Sequence, residues 1–337
     1  MRKVDQGYIK YLINKKEMTA NVSETNTSKN DIFIPRSIFH DSKEYFVTTI
    51  LTNAFKYSQV LSIQFPPNSK IRTIEKDSFN ASSIKNLTIP SSLTELKDGW
   101  CSNTSNLNKI EISPNNPRYQ LYDNKFIIGK NLTENENFDV LVFCIRNIKS
   151  VKIPKFIEII GPFAFDGCEQ LHELDIPFDS KLKIIGEHAF SCSSIENFSV
   201  PSNLCQICHD AFSWCEELQV FEIPPNTKLH TIEKNAFANT QIEHLKIPQS
   251  LIDLKNGWCR CTDCLNKVEI DINNPRYSIY EDKFIIGKSL IDGDDYDVFV
   301  YAPRDTEKVT IPNYIEIIGA NREIFNSLNL NFKRIQN

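Results

Sequence analysis

The sequence predicts a strand-rich α/β solenoid with right-handed coils of about 21–25 residues, a shared parallel sheet and β-hairpin insertions. Three observations lead to this prediction. An aromatic residue recurs at a nearly constant interval, and each repeat contains a short alternating apolar segment that proline closes. A longer block containing several repeats also recurs 158 residues later.

The aromatic position defines the repeat. The frame that precedes it is Leu/Ile-x-x-Ile-x-x-x-Ala/Ser-Phe, as in Ile71–Phe79, Leu182–Phe190 and Leu229–Phe237. The residues Phe165, Phe190, Phe212 and Phe237 are spaced by 25, 22 and 25 residues, and Trp258 follows 21 residues later. A period of about 20–29 residues is typical of leucine-rich repeats. Trp100 and Trp258 occupy the phenylalanine position, which predicts a role in core packing.

A second apolar run follows each aromatic residue. Its form is Ile-x-x-Leu-x-Ile-Pro, as in Ile84–Pro90 and Ile242–Pro248. Alternating apolar and polar residues predict a short strand with one buried face, and proline ends the strand because it has no N–H to donate. A single coil cannot bury this apolar face alone, so the coils are expected to stack around one core.

Two insertions interrupt the simple period and match each other. Asn115–Tyr119 recurs as Asn273–Tyr277, and Lys125–Lys130 recurs as Lys283–Lys288, each after 158 residues. Each insertion contains two apolar runs around a polar turn, which predicts a β-hairpin. The paired runs are Phe126–Ile128 with Val140–Phe143, and Phe284–Ile286 with Val298–Tyr301.

These features divide one continuous solenoid into six predicted segments. They are an N-terminal hairpin and capping lead-in (1–46), repeat coils (47–118), a hairpin insertion (119–150), further coils (151–276), a second hairpin insertion (277–308) and a terminal coil or cap (309–337).

Composition excludes several classes of protein. Hydrophobic residues make up 41% of the 337 residues and charged residues 24%, which is typical of a globular chain. The net charge of −5 implies no strongly basic face, so nucleic acid is not expected as a partner. We find no signal peptide and no apolar run of about 18 residues, so membrane insertion of this chain is not expected. The 10 cysteines are therefore expected as reduced thiols.

The repeat frame resembles one particular family. Its motifs include Phe165-Asp-Gly-Cys168, Phe190-Ser-Cys192 and Phe212-Ser-Trp-Cys215, together with the recurring Asn-Pro-Arg-Tyr module. The frame resembles the BspA-like, or treponemal-type, leucine-rich repeats over about residues 30–330. That resemblance implies a non-enzymatic protein-binding module on the cell surface, active in adhesion to host matrix, to host cells or to other microbes. The alternative is a cytoplasmic leucine-rich-repeat scaffold.

The candidate binding residues are those expected to point outward from the repeat strands and from the hairpins. A solenoid presents such residues as one continuous face, and loops on a rigid scaffold often carry recognition. On the strands they are Glu111, Lys152, Glu173, Asp175, Asn197, Glu222, His244, Lys246, Lys267 and Glu269. Near the hairpins they are Tyr122 and Tyr280, with Tyr119 and Tyr277 as further candidates. Their mixed charge favours a protein partner.

No catalytic residue, metal site or cofactor is predicted. The pairs Cys205–Cys208 and Cys261–Cys264 have the spacing of half a zinc site, but 53 residues separate Cys208 from Cys261, against about 15–20 in a zinc ribbon. Cys208 and His209 are adjacent, so in an extended segment their side chains point apart. A thiol- or metal-dependent enzyme is the third hypothesis.

Several cysteines have a simpler structural interpretation. Cys168, Cys192 and Cys215 follow the aromatic position in three repeats and are expected to form a buried thiol column. Free cysteine commonly behaves as a small apolar residue in such a core.

Overall fold

A computed structural model describes residues 2–25, 29–131, 137–303, 306 and 311–318. These residues form a strand-rich β-solenoid with parallel sheets, and the described ranges contain no helix. The α/β label of the predicted class is therefore wrong. The chain divides into two compact units: unit 1 comprises Met1–Ile148 and Gly161–Gln170, and unit 2 comprises Lys149–Ile160 and Leu171–Asn337.

Unit 1 is built from strands two to eight residues long. They are β1 (Arg2–Gln6), β2 (Ile9–Asn14), β3 (Thr19–Thr25), β4 (Asp31–Phe33), β5 (Ser37–His40), β6 (Lys43–Ile50), β7 (Ser62–Gln64), β8 (Thr73–Ile74), β9 (Asn86–Ile89), β10 (Glu95–Leu96), β11 (Lys109–Ile112), β12 (Tyr119–Tyr122), β13 (Phe126–Gly129) and β14 (Val140–Cys144).

Three groups of strands organise unit 1. One sheet has the order β1-β2-β3-β6-β8-β10, with β5 paired to β6. A second, parallel sheet has the order β11-β9-β7-β4 and contains the predicted repeat strands. The insertion forms the antiparallel group β12-β13-β14, so the predicted hairpin is present as β13 and β14 and has a third strand beside it.

Unit 2 repeats the same pattern with shorter strands. They are β15 (Ser150–Lys152), β16 (Ile159–Ile160), β17 (Glu173–Asp175), β18 (Ile184–Ile185), β19 (Asn197–Ser199), β20 (Gln206–Ile207), β21 (Val220–Glu222), β22 (Thr231–Ile232), β23 (His244–Ile247), β24 (Asp253–Leu254), β25 (Lys267–Ile270), β26 (Tyr277–Tyr280), β27 (Phe284–Gly287), β28 (Val298–Tyr301) and β29 (Ile317–Ile318).

Each coil of unit 2 contributes to two parallel ladders. The predicted repeat strands pair as β15-β17 and as β19-β21-β23-β25. A second ladder, β16-β18-β20-β22-β24, arises from the Leu-x-x-Ile segment before each aromatic residue. Its inward residues Ile185, Ile207 and Ile232 are fully buried. The return path of each coil is therefore a strand, which is why the solenoid needs no helix.

The insertion of unit 2 forms the antiparallel group β26-β27-β28, and β29 pairs with β28 in parallel. Most of the predicted terminal segment, 309–337, lies outside the described residues. The division into six segments stays a prediction.

The aromatic repeat positions form a continuous column in the core of unit 2. Ring centroids are 5.1 Å apart for Phe190 and Phe212, 5.7 Å for Phe212 and Phe237, and 6.2 Å for Phe237 and Trp258. All four side chains are buried. Burial of one such side chain stabilises the fold by about 1.5–3 kcal/mol. The prediction that tryptophan fills the phenylalanine position in the core is confirmed.

The corner before each aromatic residue requires a left-handed backbone. The residue two positions before the phenylalanine has a φ of 52° at His188, 54° at Asp210 and 57° at Asn235, and Gly257, one position before Trp258, has a φ of 75°. Asparagine, aspartate and glycine tolerate this conformation best. The chain therefore turns just before the aromatic residue in these coils. The two polar residues before the Ala-Phe pair, such as Glu187 and His188, lie beside those of the next coil, His209 and Asp210.

The repeated Asn-Pro-Arg-Tyr module closes the end of a ladder. The Asn274 side chain donates hydrogen bonds to the carbonyls of Pro248 and Leu251 at 2.8 and 2.9 Å, and it accepts them from the N–H groups of Arg276 and Tyr277 at 3.0 and 2.8 Å.

The tyrosine of the module then covers the sheet edge. The Leu254 N–H on the edge strand β24 donates to the Tyr277 hydroxyl at 2.8 Å. In unit 1 the Leu96 N–H on β10 donates to the Tyr119 hydroxyl at 2.9 Å. A Cβ at Gly287 would lie 3.0 Å from the Tyr277 ring, so glycine allows this close approach. The module thus satisfies an edge N–H that would otherwise be exposed to pairing.

An arginine lies inside unit 1. The Arg146 guanidinium donates to the carbonyls of Ala164 at 3.0 Å and Phe163 at 3.3 Å, and its Nη1 lies 3.5 Å from the Cys168 Sγ. Burial opposes ionisation of Cys168, but the hydrogen bond with Cys144 and the charge of Arg146 outweigh it and lower the pKa of that thiol to about 7. The guanidinium of Arg146 therefore favours the thiolate form of Cys168.

Candidate protein-binding surface

The predicted strand residues of unit 2 lie in register on neighbouring strands. Glu173 pairs with Ser150, and Asp175 with Lys152. Further along, Glu222 pairs with Ser199, His244 with Lys267, and Lys246 with Glu269. We call this set the outer strand face: Lys152, Glu173, Asp175, Asn197, Glu222, His244, Lys246, Lys267 and Glu269. All are exposed except Glu269, which is half-buried.

Basic and acidic side chains on the outer strand face contact one another. Lys152 Nζ lies 2.6 Å from Asp175, Lys267 Nζ lies 2.6 Å from Glu269, and His244 Nε2 lies 3.5 Å from Glu269. The hydrogen bond from Lys267 and its charge lower the pKa of the Glu269 carboxyl. Exposed pairs of this kind contribute little to stability, so they are easily exchanged for contacts with a partner.

A groove lies at the end of the outer strand face. It has a volume of about 590 Å³, and Lys246, Lys267 and Glu269 line it together with Ile272 and Ile279. The Ile272 side chain is 97% exposed, which is unusual for an isoleucine beside charged residues. The groove therefore combines an accessible apolar group with charges of both signs.

Ile272 was not among the predicted residues, although the duplication contains a signal for it. The polar turn before the Asn-Pro-Arg-Tyr module has Pro114 in the first copy and Ile272 at the matching position in the second. Ile272 also continues the alternation Val268-x-Ile270-x-Ile272, so periodicity alone predicts a buried position for it. Comparison of the two copies could have identified it.

The two predicted hairpin tyrosines occupy equivalent positions. Tyr122 ends β12 in unit 1 and is 39% exposed, and its ring stacks on Phe126 with centroids 6.5 Å apart. Tyr280 ends β26 in unit 2, is half-buried and lies 6.3 Å from the Phe284 ring. Each tyrosine is therefore partly exposed, and its ring packs beside a phenylalanine of the same hairpin group.

The other two tyrosines are not surface groups. Tyr119 and Tyr277 are only 5% and 4% exposed, because their hydroxyls accept hydrogen bonds from the edge strands. The expectation that they contact a partner was wrong. Glu111 belongs to unit 1, where it is exposed and lies 2.8 Å from the Lys109 Nζ.

The predicted thiol column is wrong at one position. Cys168 and Cys215 are fully buried, whereas Cys192 is exposed. Cys192 is two residues after its phenylalanine, where the backbone is left-handed, and the other two cysteines are three residues after theirs. Ser193 occupies the inner position instead, with its Oγ 3.4 Å from the Cys215 Sγ.

The surroundings of Cys208, which precedes His209, oppose ionisation of its thiol. Burial, followed by the charges of Glu233 and Glu187, raises the pKa of Cys208 to about 11. A thiol with that pKa is almost entirely protonated at neutral pH, whereas a nucleophilic cysteine has a lowered pKa.

In the described parts of the chain, no helix has the length and apolar character needed to cross a bilayer.

Solved structures of leucine-rich-repeat proteins resemble the chain. One is the pneumococcal vaccine antigen PcpA, at 17% identity and a TM-score of 0.40 over 94% of this chain. The chain spans 60% of the length of that antigen. A leucine-rich cell surface protein of Faecalibacterium prausnitzii is 16% identical, with a TM-score of 0.38, over 80% of this chain and 95% of its own. A leucine-rich repeat protein of T. pallidum is 15% identical, with a TM-score of 0.26, over 75% of this chain and 81% of its own.

No curated protein matches the chain. The model of the BspA-type leucine-rich repeat region matches it in six copies, over residues 26–134 and 136–284. Leucine-rich-repeat proteins of this kind are commonly protein-interaction modules and typically not enzymes. Because the match extends over most of the residues, the chain belongs to the BspA-type leucine-rich-repeat family.

Proposed function

We propose that this chain is a non-enzymatic module that binds a protein partner through the outer strand face of unit 2. The observation that carries the proposal is the groove that Lys246, Lys267 and Glu269 line together with the exposed Ile272. Protein interfaces typically combine an apolar centre with a polar rim that orients the partner. The groove has both parts on a rigid stack of strands.

The charges of the face define the chemistry of the partner. The face carries both lysines and acidic residues, so a partner with charges of both signs fits better than a polyanion. Ile272 would enter an apolar pocket of that partner. We propose further that Tyr122 and Tyr280 add contacts from the hairpin groups.

We also propose that the partner is a protein of the host matrix or of another cell surface, the role that the BspA-type resemblance implies. The alternative is a cytoplasmic scaffold, which one observation favours. Cys101, Cys144, Cys168, Cys215 and Cys259 are buried as thiols, a state typical of reducing compartments.

Binding to a panel of purified extracellular-matrix proteins tests the interaction. We expect saturable binding of at least one member in a biosensor assay, and a loss of affinity of about tenfold or more in the K246E/K267E and I272D variants, because centrally placed interface residues dominate affinity. The matched control is K183E/K255E. Lys183 and Lys255 form ion pairs, as Lys267 does, but they flank strands of the second ladder and not those of the outer strand face. The control changes the charge of the chain by the same amount as K246E/K267E.

Two outcomes would overturn the proposal in its adhesive form. One is no saturable binding across the panel, and the other is an equal loss in the control variant. Surface protease digestion of intact cells then separates the two locations. Cleavage of the native protein supports adhesion, and complete protection supports the scaffold.

A further inference from the structure

Two consecutive coils of unit 2 bring an unusual group of side chains together. In both, the two positions before the Ala-Phe pair are polar: Glu187 and His188 in one coil, His209 and Asp210 in the next. Potential ligand atoms of Glu187, His188 and His209 all lie within 4.8 Å of one another. Among the residues that the structure describes, one group of three or more histidine, cysteine or acidic side chains has its potential ligand atoms this close together, and it is this group.

The backbone holds the group in place. The His188 N–H donates to the His209 carbonyl at 3.1 Å, which ties the two corners together. The His209 N–H donates to the Glu233 carboxylate at 3.0 Å, so the second corner is also fixed to the coil that follows. The left-handed backbone at His188 and Asp210 turns both corners to the same side. The imidazole rings are 6.2 Å apart and inclined by 67°.

The local charge favours a cation. Asp210 Oδ2 lies 2.5 Å from the His209 Nδ1 and 3.7 Å from the His188 Nε2, and Glu187 Oε1 lies 3.8 Å from the same His188 atom. Two carboxylates thus surround two imidazoles. The His209 Nδ1 is buried, and its contact with Asp210 lacks hydrogen-bond alignment. A metal ion would compensate the negative charge and use the imidazole lone pairs.

We propose that Glu187, His188 and His209 bind one divalent transition-metal ion of the Zn²⁺ class, with Asp210 as a positioning residue beside His209. Zinc takes imidazole nitrogen and carboxylate oxygen at about 2.0–2.2 Å, which places tetrahedral ligands about 3.3 Å apart. Contraction of the group to that size requires rotation of its side chains, and the Glu187 side chain, 54% exposed, has space to rotate. Three ligands leave one coordination position open to water or to a side chain of a partner.

This site is independent of the proposed protein-binding function. It lies at the two corners that follow β18 and β20 and precede Phe190 and Phe212. The groove of the proposed binding surface lies at β25. Because the ligands come from two coils, the ion would join those coils and stabilise unit 2.

Calorimetric titration of the metal-free full chain with Zn²⁺ tests the proposal. We expect one equivalent to bind, and an increase in the melting temperature with zinc concentration. The H188Q/H209Q variant should bind at least about tenfold more weakly and lose the zinc-dependent shift. The matched control is H172Q/H230Q, which removes two other exposed histidines of the same unit and should bind like the wild type.

Co²⁺ identifies the ligands spectroscopically. We expect d–d absorption without the thiolate-to-cobalt charge-transfer band, because no cysteine belongs to the proposed set. A strong thiolate band, or zinc binding that is equal in H188Q/H209Q and the wild type, would overturn the assignment. Circular dichroism of the metal-free variants checks that each is folded. The D210N variant tests whether Asp210 positions His209 or binds the metal itself. Weakened zinc binding with an unchanged cobalt spectrum indicates that Asp210 is a positioning residue.

Discussion

The side chain of Asn274 donates a hydrogen bond to the carbonyl oxygen of Pro248, 26 residues earlier, over 2.8 Å. The same bond joins Asn116 to Pro90 in unit 1, also at 2.8 Å. In both copies the asparagine side chain makes four hydrogen bonds with the backbone: its amide nitrogen donates two, and its amide oxygen accepts two. The duplicated module is therefore a structural clamp that fastens the insertion to the preceding coil.

We expect the substitution N274A to destabilise the chain by roughly 2–4 kcal/mol, because it leaves buried carbonyls and N–H groups without partners. Urea unfolding followed by circular dichroism measures the effect. The control is N273A at the exposed neighbouring position, which should change stability by less than about 0.5 kcal/mol. Equal effects of the two substitutions would contradict the clamp.

The Tyr277 hydroxyl accepts a hydrogen bond from the Leu254 N–H at the edge of the second ladder. We expect Y277F to cost about 1–2 kcal/mol, because the ring still packs while a buried N–H loses its acceptor. Amide hydrogen exchange should show faster exchange at Leu254 in this variant. The control Y280F alters the half-buried tyrosine of the same insertion, and its Leu254 exchange should equal that of the wild type.

Phe212 stacks between Phe190 and Phe237 and is fully buried. We expect F212A to destabilise the chain by about 3–5 kcal/mol, because it opens a cavity in the aromatic column. F178A removes a phenylalanine that is 55% exposed and should cost less than about 1 kcal/mol. The urea midpoints of the two variants and the wild type measure the loss of stability. A loss of stability in F178A as large as that in F212A would disprove the role of the column.

We expect Cys168 and Arg146 to make the stability of the chain depend on pH. The pKa of Cys168 is lowered to about 7 in the folded chain, from an ordinary value of 9.0. A lowered pKa contributes stability that is fully present above the unfolded value and is lost as the pH falls through the folded value. The stability difference between the wild type and C168A should therefore increase as the pH rises from about 6 to about 8.5. Urea midpoints at both pH values measure it, and a difference that is constant or decreasing would refute the charged pair.

Much of the architecture follows from the sequence because the repeat period and the burial pattern have the same physical cause. A coil can bury its apolar face only against the next coil, so each coil repeats the same inward residues at the same interval. The positions of Phe190, Phe212 and Phe237 therefore predict the aromatic column, and Leu-x-Ile-Pro predicts the repeat strands and their outward residues. The BspA-type family follows from the same frame.

The second ladder is not predictable in the same way. Its strands contain two residues each, as in Gln206–Ile207, which is too short for an alternating pattern. They become strands only because the neighbouring coil supplies hydrogen-bonding partners. That ladder replaces the helix that the α/β label implied.

The sequence by itself determined the period, the buried aromatic positions of the repeat, the duplicated insertion and the family, because these depend on which residues recur. Only the tertiary structure decided which exposed residues become neighbours. Ile272 joins Lys246 and Lys267 at one groove, and His188 joins His209 although 21 residues separate them, because each coil returns the chain to the same place one layer further along. Cys192 leaves the predicted thiol column for a related reason: one position in the turn moves a side chain from the core to the solvent.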